Sequence, residues 1–490
     1  MELVTTPPPA TPWSASSATI GQMHNIIEKL KELGYTTISP DWYQLIDLWD
    51  QWYKGTVRGF HDYRVYNGLK HVHCTKLTAG MAKSVAENWA DLLMNDKVTV
   101  TLEGTAEQDF FNEVCESNNF YQQMNRYEEY CFALGTSAIV ARVTDMQVDE
   151  EGRAVSPAGG ICLDYVRAGE IFPLSWHNGI IRECAFTSPH SCGGSNYIYL
   201  QIHHLDDTGN YIIENHLFEE LNENLYEVPL ETVPAFADVA PVFHTHRPEP
   251  LFVLNRPNIA NNLNPDIPMG VSIYANAIDQ LKDCDNVFDS LNSEFVLGRK
   301  RIMVKPEALK NLDGEPLFDA NDLVFYLLPE DSSNGSTVKE IEAKLRTEEH
   351  FTGLQAALDM LALKTGLGPS HWRFDQGHIT TATQIIAANS EEYRTQCKHE
   401  IVLRQVLTDL ARVILRLGNT FLGRQLNEEV EISVDFDESV IEDKAADFER
   451  DCRMLELGVL SKEEFRSKWL NEDLKTSSKA IDEITSEAKL

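Results

Sequence analysis

Residues 366–386 read GLGPSHWRFDQGHITTATQII. Gly366, Gly368, Gly377 and Pro369 make the stretch a chain breaker, yet it also carries His371, Trp372, Arg373, Gln376 and His378. A solvated linker has no use for a tryptophan, and a buried hinge has none for an arginine. The flanks decide what it interrupts. Before it, VKEIEAKLRTEEHFTGLQAALDMLALKTG (338–366) spaces Ile341, Leu345, Leu354, Leu358 and Leu361 along one face, which predicts a helix over 338–365. After it, Thr381 and Gln384 stand in capping-box relation, and Ile386, Tyr393, Cys397, Ile401, Leu407, Leu410, Ile414 and Leu417 carry the pattern to a stop at Gly418. About 34 residues at 1.5 Å each reach roughly 50 Å, beyond the common length of a globular helix.

Further upstream, SIYANAIDQLKDCDNVFDSLNSEF (272–295) sets Ile278, Leu281, Phe288, Leu291 and Phe295 on one stripe, with acids on the other side, and ends at Gly298. The segment that follows, RKRIMVKPEALKNLDGEPLFDANDLVFYLLPEDSSNGS (299–336), reads as a short β-rich insert. Three long helices, one junction filled by that insert and the next by the decorated loop, make an extended scaffold rather than an enzyme cleft.

The rest of the chain is mixed. Apolar Met23, Ile26, Ile27 and Leu30 predict a first helix that stops at Gly34, and Ser39 with Pro40 predicts a capped start for the next. Met81, Val85, Trp89 and Leu92 stack on a third, VTVTLEG reads as a strand, and one further helical stretch runs through FFNEVCESNNFYQQMNRYEEYCFALG. AIVARV reads as a buried strand, and short β-rich runs fill 138–245. Residues 247–270, crowded with Pro and Asn, read as an extended connector; VEISVDF and an acidic helical tail close the chain. The fold class is therefore α+β.

The 490 residues suffice for two or three domains. Hydrophobic content of 43% and charged content of 24% belong to a folded chain, which excludes wholesale disorder. A net charge of −34 argues against gripping DNA through neutralised phosphates, though not against a protein that DNA passes without being held. It also argues against an anionic membrane as partner, and no run of about eighteen apolar residues predicts a span. The opening MELVTTPPPATPWSASS has neither a basic flank nor an apolar core, so it reads as an exposed arm, 1–19, rather than a secretory signal. Nine scattered cysteines without a CxxC suggest reduced thiols in an intracellular setting.

The order helix, β insert, helix, glycine-rich loop, very long helix resembles the portal proteins of tailed bacteriophages. WADLLMND (89–96), YCFALGTSAIVARV (130–143), MGVSIYANAIDQLKDCDNVFDSLNSEFVLGRKRIMV (269–304), ITTATQIIAANSEEYRTQCKHE (379–400) and VDFDESVIEDKAADFERDCRMLELGVLSKEEF (434–465) look like the Listeria-phage-like branch of the siphovirus portal family. The likeness runs from about residue 20 to 485 and rests on five segments in order.

The resemblance implies a portal fold and a ring of about twelve copies at one capsid vertex. Its channel would pass double-stranded DNA during genome packaging and ejection. Residues 20–268 would form the wing, together with the long helix and strand of 381–436. Helices 269–297 and 338–365 would form the stem, with Ile278, Leu281, Phe288 and Leu358 in its packing. Residues 298–337 would be the clip, where Arg299, Lys300, Arg301 and Lys305 face a partner. Residues 366–380 would be the tunnel loop, with His371, Trp372, Arg373, Gln376 and His378 toward DNA, and 437–490 a short helical crown. The implied partners are further copies of the chain, the terminase large subunit, a head-completion or adaptor protein, and major capsid and scaffolding proteins. The implied locations are the virion and, during assembly, the host cytoplasm.

Plainer readings stand beside these. The loop can fold back, with Trp372 buried as an anchor and Arg373 on the rim. The basic cluster at 299–305 follows a helix end, where cations offset the dipole. His71/His73, His203/His204 and His244/His246 could suggest metal ligands, but no HExxH or cysteine–histidine set completes a site, and ordinary hydrogen-bonded histidines are the simpler reading. No Walker loop, GxSxG or GxGxxG is present, so neither an ATPase nor a serine hydrolase is supported, and no cofactor is called for. The rivals to a portal are another minor head or adaptor protein, and a soluble metallo-enzyme built on the histidine pairs.

Overall fold

The structure, a computed structural model, describes residues 20–66, 68–149, 152–222, 224–298, 301–304, 325–327, 338–341, 344–369, 371–373, 382–436, 444–470 and 477–481. The chain divides into two units: residues up to 374 together with 394–436, and residues 375–393 together with 437–490.

The first unit opens with helices α1 (Ile20–Glu32) and α2 (Pro40–Lys54). Met23, Ile26, Ile27 and Leu30 are buried as their spacing requires. The Ser39 hydroxyl accepts the Asp41 N–H at 3.4 Å, and Gly55, at φ 68°, ends α2. A hairpin, β1 (Asp62–Tyr66) and β2 (His71–Thr75), leads to α3 (Met81–Leu93). The buried face of α3 is Ala82, Val85, Ala86, Trp89, Ala90 and Leu93, so Met81 and Leu92 lie at its margins rather than on it. Strand β3 (Thr99–Leu102) precedes two helices, α4 (Thr105–Ser117) and α5 (Phe120–Leu134), where the sequence reads as one helical stretch. Asn119 divides them by taking φ 48°, a left-handed conformation that asparagine tolerates better than most residues.

Strands β4 (Ser137–Thr144) and β5 (Gly160–Arg167) form one sheet with β12 (Phe252–Asn255), order β12–β4–β5. The expected connector at 247–270 thus contributes a strand. Between them β6 (Ile171–His177), β7 (Ile180–Cys192), β8 (Ser195–Leu205), β9 (Tyr211–Leu221) and β10 (Asn224–Val228) run as an antiparallel meander, with β11 (Val242–His244) also on β9. In β8, Tyr197, Tyr199, Gln201 and His203 share one face, and Ile198, Leu200 and Ile202 the other.

Helix α6 (Ile278–Leu297) is followed by a three-stranded sheet, order β14–β13–β15, of β13 (Arg301–Val304), β14 (Phe325–Leu327) and β15 (Val338–Ile341). Helix α7 (Thr347–Thr365) then packs along α6. The helix expected over 338–365 therefore starts nine residues later, because Val338–Ile341 pairs antiparallel with Arg301–Val304. Val338 and Ile341 suit a strand as well as a helix face, and the waiting edge of β13 decides. Helix α8 (Ala382–Phe421) contributes its residues from 394 on, and β16 (Ile432–Asp435) pairs with β3. Gly418 does not end α8: a Cβ there would come within 2.6 Å of the Phe110 ring, so the glycine admits α4 against the helix. Ile401, read as part of the buried stripe, is exposed, while Leu403, Val406, Leu407, Leu410 and Ile414 are buried.

The second unit holds residues 382–393 of α8, α9 (Lys444–Glu456), α10 (Lys462–Leu470) and a helical turn at 477–481. Phe448 meets Phe465 and Trp469 across α9 and α10. Ser461 and Glu464 cap α10 reciprocally, each backbone N–H donating to the other's side chain at 2.9 and 3.1 Å. All nine cysteines are free.

Candidate functional site

The interrupted helical hairpin is rooted in the first unit by buried polar contacts. Asp285 is 3% exposed on α6. His61 Nδ1 accepts the Val57 N–H at 2.9 Å, which leaves Nε2–H to donate to Asp285 Oδ2 at 2.8 Å. Asp285 Oδ1 accepts the Ala79 N–H at 2.7 Å and the Thr78 hydroxyl at 3.3 Å. Two further α6 side chains continue the seam: Asn286 accepts from Lys76 Nζ at 2.6 Å and Asp289 from the Leu77 N–H at 3.0 Å. Asp285 is thus an acid on the apolar stripe, not on the solvent side. Its signal was in the spacing, four residues after Leu281 and three before Phe288.

The other two helices meet the same root. The Trp89 indole N–H donates to the Thr365 carbonyl, the last residue of α7, at 3.0 Å. His399 of α8 packs its ring against Trp89 and Phe132, with centroids at 5.1 and 5.0 Å, and its Nδ1 accepts the Asn258 N–H at 3.0 Å. Burial pushes the His399 pKa down to about 3, so the ring is neutral and serves as packing and acceptor.

Away from the root the hairpin sheds its cover. Leu281 is buried, Ile278, Phe288 and Leu291 are half-buried, and Phe295 and Val296 are 50% exposed. On α7, Leu354, Leu358 and Leu361 are buried, yet Phe351, Met360 and Leu363 are exposed. Met360 and Leu363 lie on the side of α7 away from its buried face, since at 100° per residue Met360 falls about 160° from Leu358. The far end is closed by charge: Arg346 Nε and Nη2 hold the two Glu294 oxygens at 3.1 and 2.8 Å. These hydrogen bonds keep the Glu294 carboxyl low, at about 2.

The loop leaves α7 through Gly366, at φ 81°, whose N–H donates to the Ala362 carbonyl. A Cβ at Gly366 would lie 2.7 Å from Thr395 Cγ2, so both conformation and the contact with α8 demand glycine. The next residues return along α7. Leu367 is buried, Trp372 is half-buried against the main core, and its carbonyl accepts Gln355 Nε2–H at 2.8 Å. The His371 ring stands edge-on to Trp372 at 5.1 Å. Arg373 is exposed, and its Nη2 lies 3.5 Å from Asp359 Oδ2, a loose pair. The start of the loop thus takes the folded-back form, with an aromatic anchor and a cation on its rim. Gln376 and His378 lie outside the described residues, as do Arg299, Lys300 and Lys305; Arg301 opens β13.

The histidine pairs do not converge. His203 and His204 are on opposite faces of β8, the first buried and the second 3.2 Å from Glu214. His73 meets Asp62 on the exposed hairpin, and the His244 and His246 rings lie 6.1 Å apart. Among the described residues no three His, Cys, Asp or Glu side chains stand together as a metal site, and no helix is long and apolar enough to cross a membrane.

Comparison with known proteins adds the following. A solved chain from a structure described as "Neck of native GTA particle computed with C12 symmetry" is similar at 15% identity, covering 79% of this chain and 89% of that one, with a TM-score of 0.37. None of the curated proteins matches. The family model described as "Phage portal protein, SPP1 Gp6-like" matches residues 35–489.

Proposed function

The chain belongs to the SPP1 Gp6-like family of phage portal proteins, and from that premise we propose that its copies close into a ring of about twelve around a channel for double-stranded DNA. The family match along nearly the whole chain carries this reading. The subunit acts as a structural conduit; the motor is another protein.

The α6–α7 hairpin supplies the mechanics. A head-to-tail ring needs two different contact surfaces on each subunit, whereas a two-fold dimer needs one. The hairpin leaves apolar groups in two places, at the far end (Phe295, Val296, Phe351) and on the outer side of α7 (Met360, Leu363). On so acidic a chain these are the groups that a neighbouring copy covers. In this reading α6 and α7 are the stem, the residues after Gly298 with β13–β15 are the clip that meets the terminase large subunit and later an adaptor, and 437–490 form the crown. Major capsid and scaffolding proteins surround the wing, and the particle resides in the virion after assembly in the host.

DNA passes the loop at 366–380. Trp372 fixes its start, so Arg373 is the first cation beyond the anchor, exposed and only loosely held by Asp359. It exchanges that partner for a passing phosphate, while Gln376 and His378 extend the contact. Acidic walls elsewhere repel the duplex and keep it centred and mobile; tight phosphate pairing would add drag. The test of the stem is Met360→Asp with Leu363→Asp. These exposed positions leave the fold intact, so the far-ultraviolet circular dichroism should be unchanged while the ring falls to single subunits. A double variant that still assembles contradicts the stem contact.

A further inference from the structure

The β1–β2 ribbon forms a two-stranded sheet of its own. Its base is fixed: the Lys76 N–H donates to the His61 carbonyl at 2.8 Å, His61 is bonded to Asp285, and Lys76 Nζ lies 3.8 Å from the centre of the Phe60 ring. Beyond that base, Arg64, Tyr66, His71 and His73 share one face and are exposed. Towards the tip, Leu69 is 90% exposed, Tyr66 60% and Val65 46%. A two-stranded ribbon is marginally stable alone in water, so apolar side chains gathered at its tip call for a partner that covers them.

The ribbon is also basic. Residues 62–76, DYRVYNGLKHVHCTK, hold three Lys and Arg and one acid, in a chain with 76 acids against 42 Lys and Arg. That one acid, Asp62, is taken by His73, and Arg64 has no partner among the described residues. What the ribbon fits is therefore acidic and apolar at once. A phosphate backbone would pair the cations but leave Leu69 and Val65 in water.

The same chain carries such a surface. A cavity of about 970 Å³ opens beside β9 and β10, at the upper end of the range of about 300–1,000 Å³ that admits a ligand of several side chains' size. Its lining includes Asp145, Glu227, Glu231 and Asp238, apolar Met146 and Val239, and no Lys or Arg. Glu227 is held by His216 at 2.8 Å, whereas Asp145, Glu231 and Asp238 are exposed and have no ion-pair partner among the described residues. No ribbon residue lines the cavity, so its occupant comes from another copy. We propose that the ribbon of one copy seats Tyr66 and Leu69 in this cavity of the next, with Arg64 and Lys70 against Asp145, Glu231 and Asp238. Donor and acceptor are different surfaces of one chain, as a head-to-tail contact requires, and the proposal rests on the ring reading above.

The test places a photo-crosslinking residue at position 69 of the full-length protein, with sedimentation run on the same samples. Crosslinks between chains should map to 145–148 or 227–241. Glu231→Lys/Asp238→Lys, at two exposed positions, should lower their yield at least tenfold with unchanged circular dichroism. Adding Arg64→Glu/Lys70→Glu to that variant should restore the yield. Rings whose crosslinks map elsewhere or within one chain, or whose yield ignores the charge reversal, would overturn this contact and leave the ring reading standing; single subunits throughout would overturn both. Crosslinks that move to duplex DNA when it is added would assign the ribbon to nucleic acid and equally overturn the proposal.

Discussion

Glu128 shows how far one buried side chain departs from its ordinary chemistry. It is 3% exposed on α5 and accepts a hydrogen bond from Asn255 of β12, so it ties the helical layer to the β12–β4–β5 sheet. Burial raises its pKa from 4.5 to about 8. Because the folded state holds this proton more tightly than the unfolded state, stability falls as pH rises from about 4.5 to about 8. Glu128→Gln keeps the acceptor for Asn255 and removes the titration. The variant should melt higher at pH 8, by a gain on the order of 1–3 kcal/mol, and close to wild type at pH 5. An equal shift at both pH values would show that protonation is not the cause. Glu128 and Glu129 sit side by side in the run RYEEY, and the spacing separates them: Glu128 falls on the stripe of Phe120, Met124 and Cys131, which α5 buries, and Glu129 does not.

At the scale of elements, the α6–α7 hairpin is set by its root and its exit. Asp285→Ala would leave the His61 Nε2–H and the Ala79 N–H without their buried acceptor, at a cost of about 3 kcal/mol or more. Thermal unfolding should record the loss, and hydrogen exchange should show it concentrated at 57–61, 76–80 and the first turns of α6; uniform loosening would argue against a local bolt. Gly366→Ala meets both a left-handed backbone and Thr395, and should cost about 1–3 kcal/mol while freeing Trp372 from the core. A blue-shifted or unchanged Trp emission would contradict that release. Ser39 with Pro40, the face of α1 and the glycine cap of α7 were legible because caps and periodicity are local. The strand at Val338–Ile341, the contact role of Gly418 and the division at Asn119 were not, because each is decided by a partner distant in sequence or by one backbone angle. In the loop, the glycines and Pro369 announced the break after α7, but the anchoring of Trp372 on Gln355 depends on how the chain returns along α7.

For the whole molecule the governing quantity is charge. In the proposed ring, about twelve subunits, each at −34, would repel one another strongly, and the proposed apolar contacts between α6–α7 hairpins would have to hold them against it. Salt shortens the range of that repulsion, so the assembled fraction should rise between 0.05 and 0.5 M monovalent salt, to be read by sedimentation, and divalent cations should act at lower concentration. Assembly indifferent to ionic strength would contradict the balance. The central claim, that this polypeptide surrounds a passage for a duplex, is tested most directly by electron microscopy of the purified full-length protein. The account predicts closed rings of about twelve copies with a central opening, the loops following α7 projecting inward. Solid particles of one or two subunits, under every salt condition and without an opening, would contradict it.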